Sequence, residues 1–191
     1  TTAMTYDGLG RISQKTFANG GKLAYTYNGG ILSGVTRTDS AGKTQSLAYA
    51  HDAFGNLTSV KVGEILLASY QYAAKNGSLQ KQTYGNGDEV TFQYDNLNRV
   101  TETVYSSGRK LTYSYTGDGQ VSTITDSADG QSTVYAYTYD TLGRAIHCQT
   151  SRGIETQLQV HWTYDDCNRV SSQSWQIGDS AYTESFAYDE K

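Results

Sequence analysis

The chain has 191 residues and a formal net charge of −4, with no proline, 20 glycines and 17 tyrosines. The small negative charge argues against nucleic-acid binding, which usually requires a clustered basic face, and no apolar run reaches the length of about 18 residues that suits a membrane span. Abundant tyrosine and glycine favour strands and tight turns over helices, so the composition predicts a folded, all-β protein.

A tyrosine followed by an acid and a turn-forming residue recurs along the whole chain, at intervals of 21 to 25 residues. A period of this length is typical of one small structural unit that stacks on copies of itself. We therefore predict one repeat region over residues 1–191, with about eight to nine repeats and no second domain. The anchor positions are Tyr6, Tyr27, His51, Tyr72, Tyr94, Tyr115, Tyr139, Tyr164 and Tyr188.

Each repeat opens with a segment that leads into the anchor, and apolar residues occupy every second position of that segment. Such alternation predicts a β-strand with one apolar, largely aromatic face and one polar face. In the clearest run, the apolar positions are Leu158, Val160, Trp162 and Tyr164, and the polar positions are Gln157, Gln159, His161 and Thr163.

A turn, here called the motif turn, is expected directly after each anchor. Four residues beyond the anchor stands a glycine or asparagine, the residue types that tolerate a left-handed backbone. These positions are Gly10, Gly55, Asn76, Asn98, Gly119, Gly143 and Asn168, whereas the second copy has Ile31. The acid is expected to accept hydrogen bonds from backbone N–H groups two or three residues further on.

An arginine follows the turn in four copies, and stacked motif turns should bring Asp and Arg side chains together along one rim. The same acid at the same position in many copies is typical of a turn former rather than a catalytic carboxylate or a calcium ligand. We assign the structural repeat motif to Tyr6, Asp7, Gly10, Arg11, Tyr94, Asp95, Arg99, Tyr139, Asp140, Gly143, Arg144, Tyr164, Asp165 and Arg169.

A second glycine turn, here called the midway turn, lies between successive anchors. Each repeat therefore contains two strands and two turns, and the chain is predicted to form a continuous antiparallel meander of about 16 strands. Twisted open sheets of that width curl or close, so we expect a curved wall. The midway glycines are Gly20, Gly42, Gly63, Gly87, Gly108, Gly130, Gly153 and Gly178.

Histidines and cysteines raise the question of metal or disulfide chemistry. Cys148 and Cys167 are 19 residues apart with no Cys-x-x-Cys pair, which is not zinc-ligand spacing. A regular hairpin register places Cys148 opposite about Gln157 and too far from Cys167 for a disulfide. We predict no metal site, no cofactor and no catalytic residue.

The segments Tyr6–Ile12 and Tyr139–Arg144 read YDGLGRI and YDTLGR. They resemble the YD repeat of RHS (rearrangement hotspot) proteins, and the resemblance extends over essentially all of the chain because motif, period and aromatic alternation agree. The copies anchored at Tyr27, Tyr72 and Tyr115 depart from the family pattern because they lack the acid.

The resemblance implies a spiral β-sheet that winds into a hollow shell. In bacterial RHS toxins and insecticidal toxin complexes such a shell encloses a C-terminal toxic domain, and in animal teneurins a similar shell mediates adhesion at the cell surface. Toxin-type members complete the shell with a core segment that contains an Asp-Pro dipeptide tied to self-cleavage. This chain has no proline, so that segment is absent from these residues.

The resemblance therefore implies a non-catalytic shell segment of a secreted or cell-surface protein, with flanking repeats and a C-terminal effector domain as partners. The chain starts just before one motif and stops inside another. We expect an excerpt of a longer chain, whose open sheet edges favour self-association. The alternative is a cell-surface or cell-wall module that binds carbohydrate by stacking Trp162 and Trp175 on sugar rings, although an aromatic ladder that braces the sheet is the favoured interpretation.

Overall fold

The computed structural model describes residues 2–189, in which every regular element is a β-strand. The chain divides into two compact units, unit 1 up to Thr91 and unit 2 from Phe92. The strands of unit 1 are β1 (Ala3–Tyr6), β2 (Ile12–Thr16), β3 (Lys22–Asn28), β4 (Ile31–Thr38), β5 (Thr44–His51), β6 (Leu57–Val62), β7 (Ile65–Tyr72), β8 (Leu79–Tyr84) and the first part of β9 (Glu89–Tyr94). Unit 2 holds the end of β9, then β10 (Val100–Tyr105), β11 (Lys110–Tyr115), β12 (Val121–Ala128), β13 (Gln131–Tyr139), β14 (Ala145–Arg152), β15 (Glu155–Tyr164), β16 (Val170–Ile177) and β17 (Ser180–Ser185).

Within each unit, consecutive strands pair antiparallel. The pairing runs from β1 to β9 in unit 1 and from β10 to β17 in unit 2. In the part of the chain that the structure describes, strands contact only the strands next to them in sequence. The predicted all-β meander is confirmed; residues 1, 190 and 191 of the predicted repeat region lie outside the described residues.

Both kinds of turn use the left-handed backbone that the sequence predicts. The midway glycines all have positive φ, from 55° at Gly63 to 90° at Gly87. In the motif turns φ is 78° at Gly10 and 79° at Gly143, and asparagine adopts the same conformation, with φ of 60° at Asn98 and 63° at Asn168. Asparagine replaces glycine at this position because its short polar side chain tolerates the left-handed region.

Two motif turns differ from the prediction. In the fourth copy the left-handed residue is Gly77, with φ of 71°, and not Asn76. This turn is one residue longer than the others, since the Ala73 N–H donates to the Ser78 carbonyl, five residues away. In the second copy Asn28 pairs directly with Ile31 across a two-residue turn, and Gly29 takes the positive φ of 59°.

A β-bulge accompanies the anchor in each copy whose pairing is described. The register shifts between the anchor and the residue before it, so that one residue of the following strand has no partner: in the first copy Thr5 pairs with Gln14 and Tyr6 with Ile12, leaving Ser13 extra. A bulge bends its strand and increases the local right-handed twist. The extra residues are Ser13, Ser33, Thr58, Gln80, Ser122, Ile146 and Ser171.

The sheet is thin and has little enclosed core. Among the described residues, the buried apolar side chains are Ala68, Val90, Cys148 and Val160, and none of the large side chains is fully buried. The alternation predicted for β15 is present: Leu158, Trp162 and Tyr164 are half-buried around Val160, whereas His161 and Thr163 are exposed. Apolar surface is therefore removed from water mainly by neighbours within the sheet.

The predicted register of Cys148 was wrong. Cys148 lies opposite Val160 and not opposite Gln157. Arg152 pairs with Glu155, and a regular register from that pair would place Cys148 opposite Gln159. A register shift between Ser151 and Thr150 moves the pairing by one residue, so that Val160 becomes the partner. Both thiols are free: Cys148 is buried, and Cys167 is exposed in a motif turn.

Candidate functional site

The aspartate of the motif turn organises the turn through both of its oxygens. Oδ1 of Asp140 accepts hydrogen bonds from the N–H groups of Leu142 and Arg144, each at 2.9 Å, which lie two and four residues further on. Its Oδ2 accepts from Nε of Arg144 at 2.7 Å. The same three bonds form in the copies that begin with Asp7, Asp95 and Asp165.

These donors stabilise the charged carboxylate. The pKa of Asp140 is lowered, first by the backbone N–H of Arg144 and then by the guanidinium of the same residue and the N–H of Leu142, against a desolvation effect that raises it. The pKa values of Asp7, Asp95 and Asp165 are lowered by the corresponding contacts. A carboxylate held by its own turn in this way is a poor general acid or base at neutral pH.

The arginine of each motif turn reaches the next repeat as well as its own aspartate. The guanidinium of Arg144 stacks over the ring of Tyr164, the next anchor, with 4.5 Å between Cζ and the ring centroid. Its Nη1 donates to Oδ1 of Asn168 at 2.7 Å. Corresponding stacking pairs are Arg11 with Tyr27, Arg99 with Tyr115 and Arg169 with Tyr188. The expected rim of Asp and Arg side chains therefore consists of pairs within a turn, joined by contacts between turns.

The anchor tyrosine completes the link with its hydroxyl group. Tyr164 donates to the carbonyl of Ala145, the first residue of β14, at 2.7 Å. Burial raises the pKa values of Tyr72, Tyr115 and Tyr139, so these hydroxyls remain protonated donors. The same bond forms from Tyr27 to Ile12, Tyr72 to Leu57, Tyr115 to Val100, Tyr139 to Val121 and Tyr188 to Val170.

Copies that lack the arginine keep the geometry with other residues. In the third copy Nδ2 of Asn56 donates to Oδ2 of Asp52 at 2.9 Å, and this side-chain bond is the largest cause of the lowered pKa of Asp52. In the sixth copy the Gln120 N–H donates to Oγ1 of Thr116 at 3.1 Å, and its side-chain amide donates to the carbonyl of Gly143 in the next motif turn at 2.6 Å. The position four residues after the acid therefore keeps a side chain that donates hydrogen bonds, even where it is not an arginine.

The repeat-to-repeat link, here called the Asp–Arg–Tyr link, was not predicted from the sequence. Its signal is the position of the capped carbonyl, which lies six residues after the preceding anchor in each of these copies, although its distance in sequence to the next anchor varies from 15 to 19 residues. The hydroxyls of the bulge residues were missed as well. Oγ of Ser13 lies 3.0 Å from Oγ1 of Thr5, and Oγ of Ser171 lies 2.8 Å from Oγ1 of Thr163.

The two tryptophans proposed as sugar-stacking residues pack within the sheet. Trp175 lies opposite Val160 on one side and Tyr182 on the other, and its ring is 5.5 Å from that of Tyr182 with 33° between the planes. Trp162 is half-buried on the same apolar face of β15. The contact of Trp175 with Tyr182 is that of a cross-strand aromatic pair, whereas Trp162 lies opposite Gln173.

Residues 2–189 contain no group of three or more His, Cys, Asp or Glu side chains arranged to hold a metal ion. In the same residues, no helix is long and apolar enough to cross a membrane.

Comparison with protein families gives a match to the Teneurin YD-shell over residues 33–126. Among curated proteins, the chain is similar to the tRNA3(Ser)-specific nuclease WapA of Bacillus spizizenii. The alignment extends over 162 residues at 30% identity, and it covers 78% of this chain and 7% of WapA. The chain thus spans a small fraction of the length of this relative.

Among solved structures, the TcdB2-TccC3-Cdc42 crystal structure aligns with 88% of the chain at a TM-score of 0.73 and 19% identity. TcdB2-TccC3 without its hypervariable C-terminal region aligns with the same share at a TM-score of 0.74 and 18% identity. The chain covers 10% of each of those chains. At this level of identity the likeness shows the fold alone, an antiparallel β meander that the matched part of those chains shares.

Proposed function

The chain is a run of RHS-type YD repeats, and from this premise we propose that it forms part of the wall of a β-shell that encloses or displays another segment of the same polypeptide. The observation that carries the proposal is the Asp–Arg–Tyr link. It fastens the four motif turns that carry an arginine to the next anchor, as Arg144 does to Tyr164. A link repeated in one direction along the chain suits a wall that grows by adding copies.

The thin sheet supports the same proposal. Strands of the described chain contact only their neighbours in sequence, and few side chains are buried. Adding copies to such a repeat widens the sheet without enlarging a hydrophobic core. This suits a wall better than a globular domain with a ligand-binding pocket. The wall segment itself is not an enzyme in this proposal, because its recurrent carboxylates are occupied by arginine and backbone donors.

The proposed cargo is a C-terminal effector domain of the same polypeptide. One matched structure is of a complex without its hypervariable C-terminal region, and the curated relative is a nuclease that is much longer than the matched segment. Both observations support a division of labour in which repeats form the container and a variable segment carries the activity. The polypeptide would act outside the cell or at its surface.

Carbohydrate binding by Trp162 and Trp175 is the less favoured alternative, since the family model that matches is that of a YD-shell. The ring of Trp175 is also engaged with Tyr182. A glycan role would require these rings to be free to stack on a sugar, and the pairing of Trp175 with Tyr182 supports a bracing role for that ring instead.

Limited proteolysis with mass spectrometry, applied to the full-length polypeptide that contains this chain, tests the shell proposal. We expect the C-terminal segment to resist protease in the native protein and to become cleavable once mild denaturant opens the wall. A C-terminal segment that is digested at once in the native protein would contradict enclosure and leave an open surface module.

A variant pair makes that experiment specific to the wall. Replacing Arg144 and Arg169 by alanine removes two copies of the link, so the C-terminal segment should become cleavable at a lower denaturant concentration. Arg152→Ala is the matched control, since Arg152 is exposed beside a midway turn. Equal protection in the double variant and the control would show that the link does not hold the wall closed.

A further inference from the structure

Two histidines that are 14 residues apart in the sequence come together on the polar face of unit 2. His147 of β14 lies directly opposite His161 of β15. Their rings are stacked, with 4.3 Å between centroids and 25° between the ring planes. Neither residue belongs to the Asp–Arg–Tyr link, and the apolar face that holds Cys148 and Val160 lies on the other side of the sheet.

The ring of His147 carries a polar atom without compensation. Its Nε2 is buried and has no hydrogen-bond partner, the one such side-chain atom among the described residues that are not exposed. A buried polar atom without a hydrogen-bond partner destabilises the folded state. A hydrogen-bond partner or a metal ion that reached this nitrogen would therefore stabilise the protein.

The surroundings of the pair are polar and uncharged. Across the neighbouring strands, Thr138 lies opposite His147 and Ser174 lies opposite His161. The residues two positions away along β14 and β15 on the same face are Gln149, Gln159 and Thr163. No carboxylate or cation in this set competes for the imidazole nitrogens, and His161 is exposed, so its ring has room to turn.

We propose that His147 and His161 form a two-histidine binding site for a divalent transition-metal ion, with Cu²⁺ bound most tightly. Directly opposed residues of an antiparallel pair have Cβ atoms about 4.5–5.5 Å apart, which allows two imidazoles to reach one ion at about 2.0–2.1 Å each. Rotation of the His161 ring opens the stack and lets the ion bind Nε2 of His147, which then gains its missing partner.

The chemistry of the two ligands sets the selectivity. Imidazole nitrogen suits copper, nickel and zinc, and affinity rises along the first-row divalent series to Cu²⁺. Because no third protein ligand completes a cluster in residues 2–189, water fills the other coordination positions. An ion at this site joins β14 to β15 and stabilises the folded state by mass action.

Calorimetric titration of the purified chain with CuCl₂ tests the site. Every protein in the series carries Cys167→Ser, because the free and exposed Cys167 thiol would otherwise offer copper a second, unrelated ligand. We expect one ion per chain, and a loss of affinity of about tenfold or more in His147→Asn and in His161→Asn, since even outer-shell partners commonly contribute that much. His51→Asn, which removes the isolated histidine of unit 1, is the matched control and should bind as the parent does.

Spectroscopy and melting distinguish a specific site from surface binding. The electron paramagnetic resonance spectrum of the bound Cu²⁺ should show coupling to two nitrogens in the parent and to fewer in either variant. Copper should raise the melting temperature of the parent and of His51→Asn but not of His161→Asn or His161→Gln, which change an exposed side chain and keep the fold. Absence of stoichiometric binding in the parent, or unchanged binding in both single variants, would overturn the proposal.

Discussion

Single residues hold the left-handed positions on which the motif turns depend. Gly143→Val should lower the free energy of unfolding by about 1–3 kcal/mol, because a β-branched residue resists a φ of 79°. An added Cβ would lie 3.0 Å from Nε2 of Gln120, whose flexible side chain can move only by weakening its hydrogen bond to the Gly143 carbonyl. The expected cost therefore combines backbone strain with a partial loss of that bond, and denaturant titration of the variant measures it.

Two further substitutions control for side-chain bulk. Gly117→Val introduces the same side chain in the neighbouring motif turn, at a position with open space and no positive φ, and should change stability by about 0.5 kcal/mol or less. Gly143→Asn should cost less than Gly143→Val, since Asn98 and Asn168 adopt the same conformation. Equal effects of valine at positions 117 and 143 would contradict the backbone explanation.

The motif aspartates should make stability sensitive to acid. The pKa of Asp140 in the folded state is below its ordinary value of 3.8, so in acid the unfolded state binds more protons than the folded state. This contribution to stability is complete above the ordinary pKa and is lost as the pH falls through the folded-state pKa. Denaturant midpoints measured between about pH 2 and 7 should therefore decrease less steeply on the acid side in Asp140→Asn than in the parent.

Asparagine is the informative replacement at this position, because its side-chain oxygen can still accept from the N–H groups of Leu142 and Arg144. The turn is kept while the charge is removed. Identical pH profiles for the variant and the parent would mean that the lowered pKa has no counterpart in stability.

At the residue scale, sequence reasoning predicts which residue types occupy the turns but not always which residue bends. Gly10 and Gly143 follow from their position after the anchor, whereas Gly77 takes the place predicted for Asn76. That turn has one extra residue, so the left-handed position lies five residues after the anchor instead of four. The length of a turn cannot be deduced from the spacing in the other copies.

Between elements, the anchor hydroxyl joins strands of successive repeats. Tyr164→Phe should destabilise by about 0.5–1.5 kcal/mol, because it removes the donor to the Ala145 carbonyl while leaving the ring under Arg144. Thermal or denaturant unfolding measures the change. Tyr182→Phe is the matched control, since Tyr182 is largely exposed on β17, and it should be nearly silent.

A double-mutant cycle between Arg144→Ala and Tyr164→Phe separates the two parts of the link. Residues in one network are expected to show a coupling energy of about 0.5–3 kcal/mol. Additive effects would mean that the stacking contact and the hydroxyl bond act independently.

Strand register is the feature of the elements that the sequence conceals. The alternation of Leu158, Val160 and Trp162 identifies a strand and its apolar face, and both are present. The bulge residues, such as Ser13 and Ser171, do not interrupt that alternation in an obvious way, because each falls just after a turn. The wrong partner for Cys148 has the same origin, since one irregular residue shifts every pair beyond it.

For the whole molecule, we expect the isolated chain to associate through its open edges. Within residues 2–189, strand β1 pairs with β2 and strand β17 with β16, each along one edge, and all side chains of β17 are exposed. Unprotected edges are templates for pairing with another chain. Static light scattering should therefore give an apparent mass that rises with protein concentration.

A charged residue on the edge strand tests the cause of this association. Ala181→Lys places a charge on β17 and should reduce the concentration dependence. Ser40→Lys, in an exposed turn of unit 1, is the control and should leave it unchanged. A mass that is monomeric at all concentrations would contradict association through the edges.

The whole architecture is more predictable than the contacts within it. Period, motif and alternation together predict an all-β antiparallel meander, which is present in both units. The meeting of His147 and His161 could not be predicted, because it depends on the register of β14 against β15. Sequence motifs for metal ligands rely on residues that are a few positions apart. In a hairpin, the sequence separation of two paired residues depends on the length of the strands and of the turn, so no fixed spacing identifies such a pair.

Coupling confined to adjacent strands has a mechanical consequence. Each hairpin is held by hydrogen bonds to the strands beside it, and the copies that carry the arginine add one Asp–Arg–Tyr link to the next copy. A pulling force applied to one terminus would then load a single hairpin at a time, and the chain would yield in a series of small, similar steps. A polypeptide of this kind could be drawn through a narrow translocation channel without first melting as a whole, and it could regain its register copy by copy on the far side.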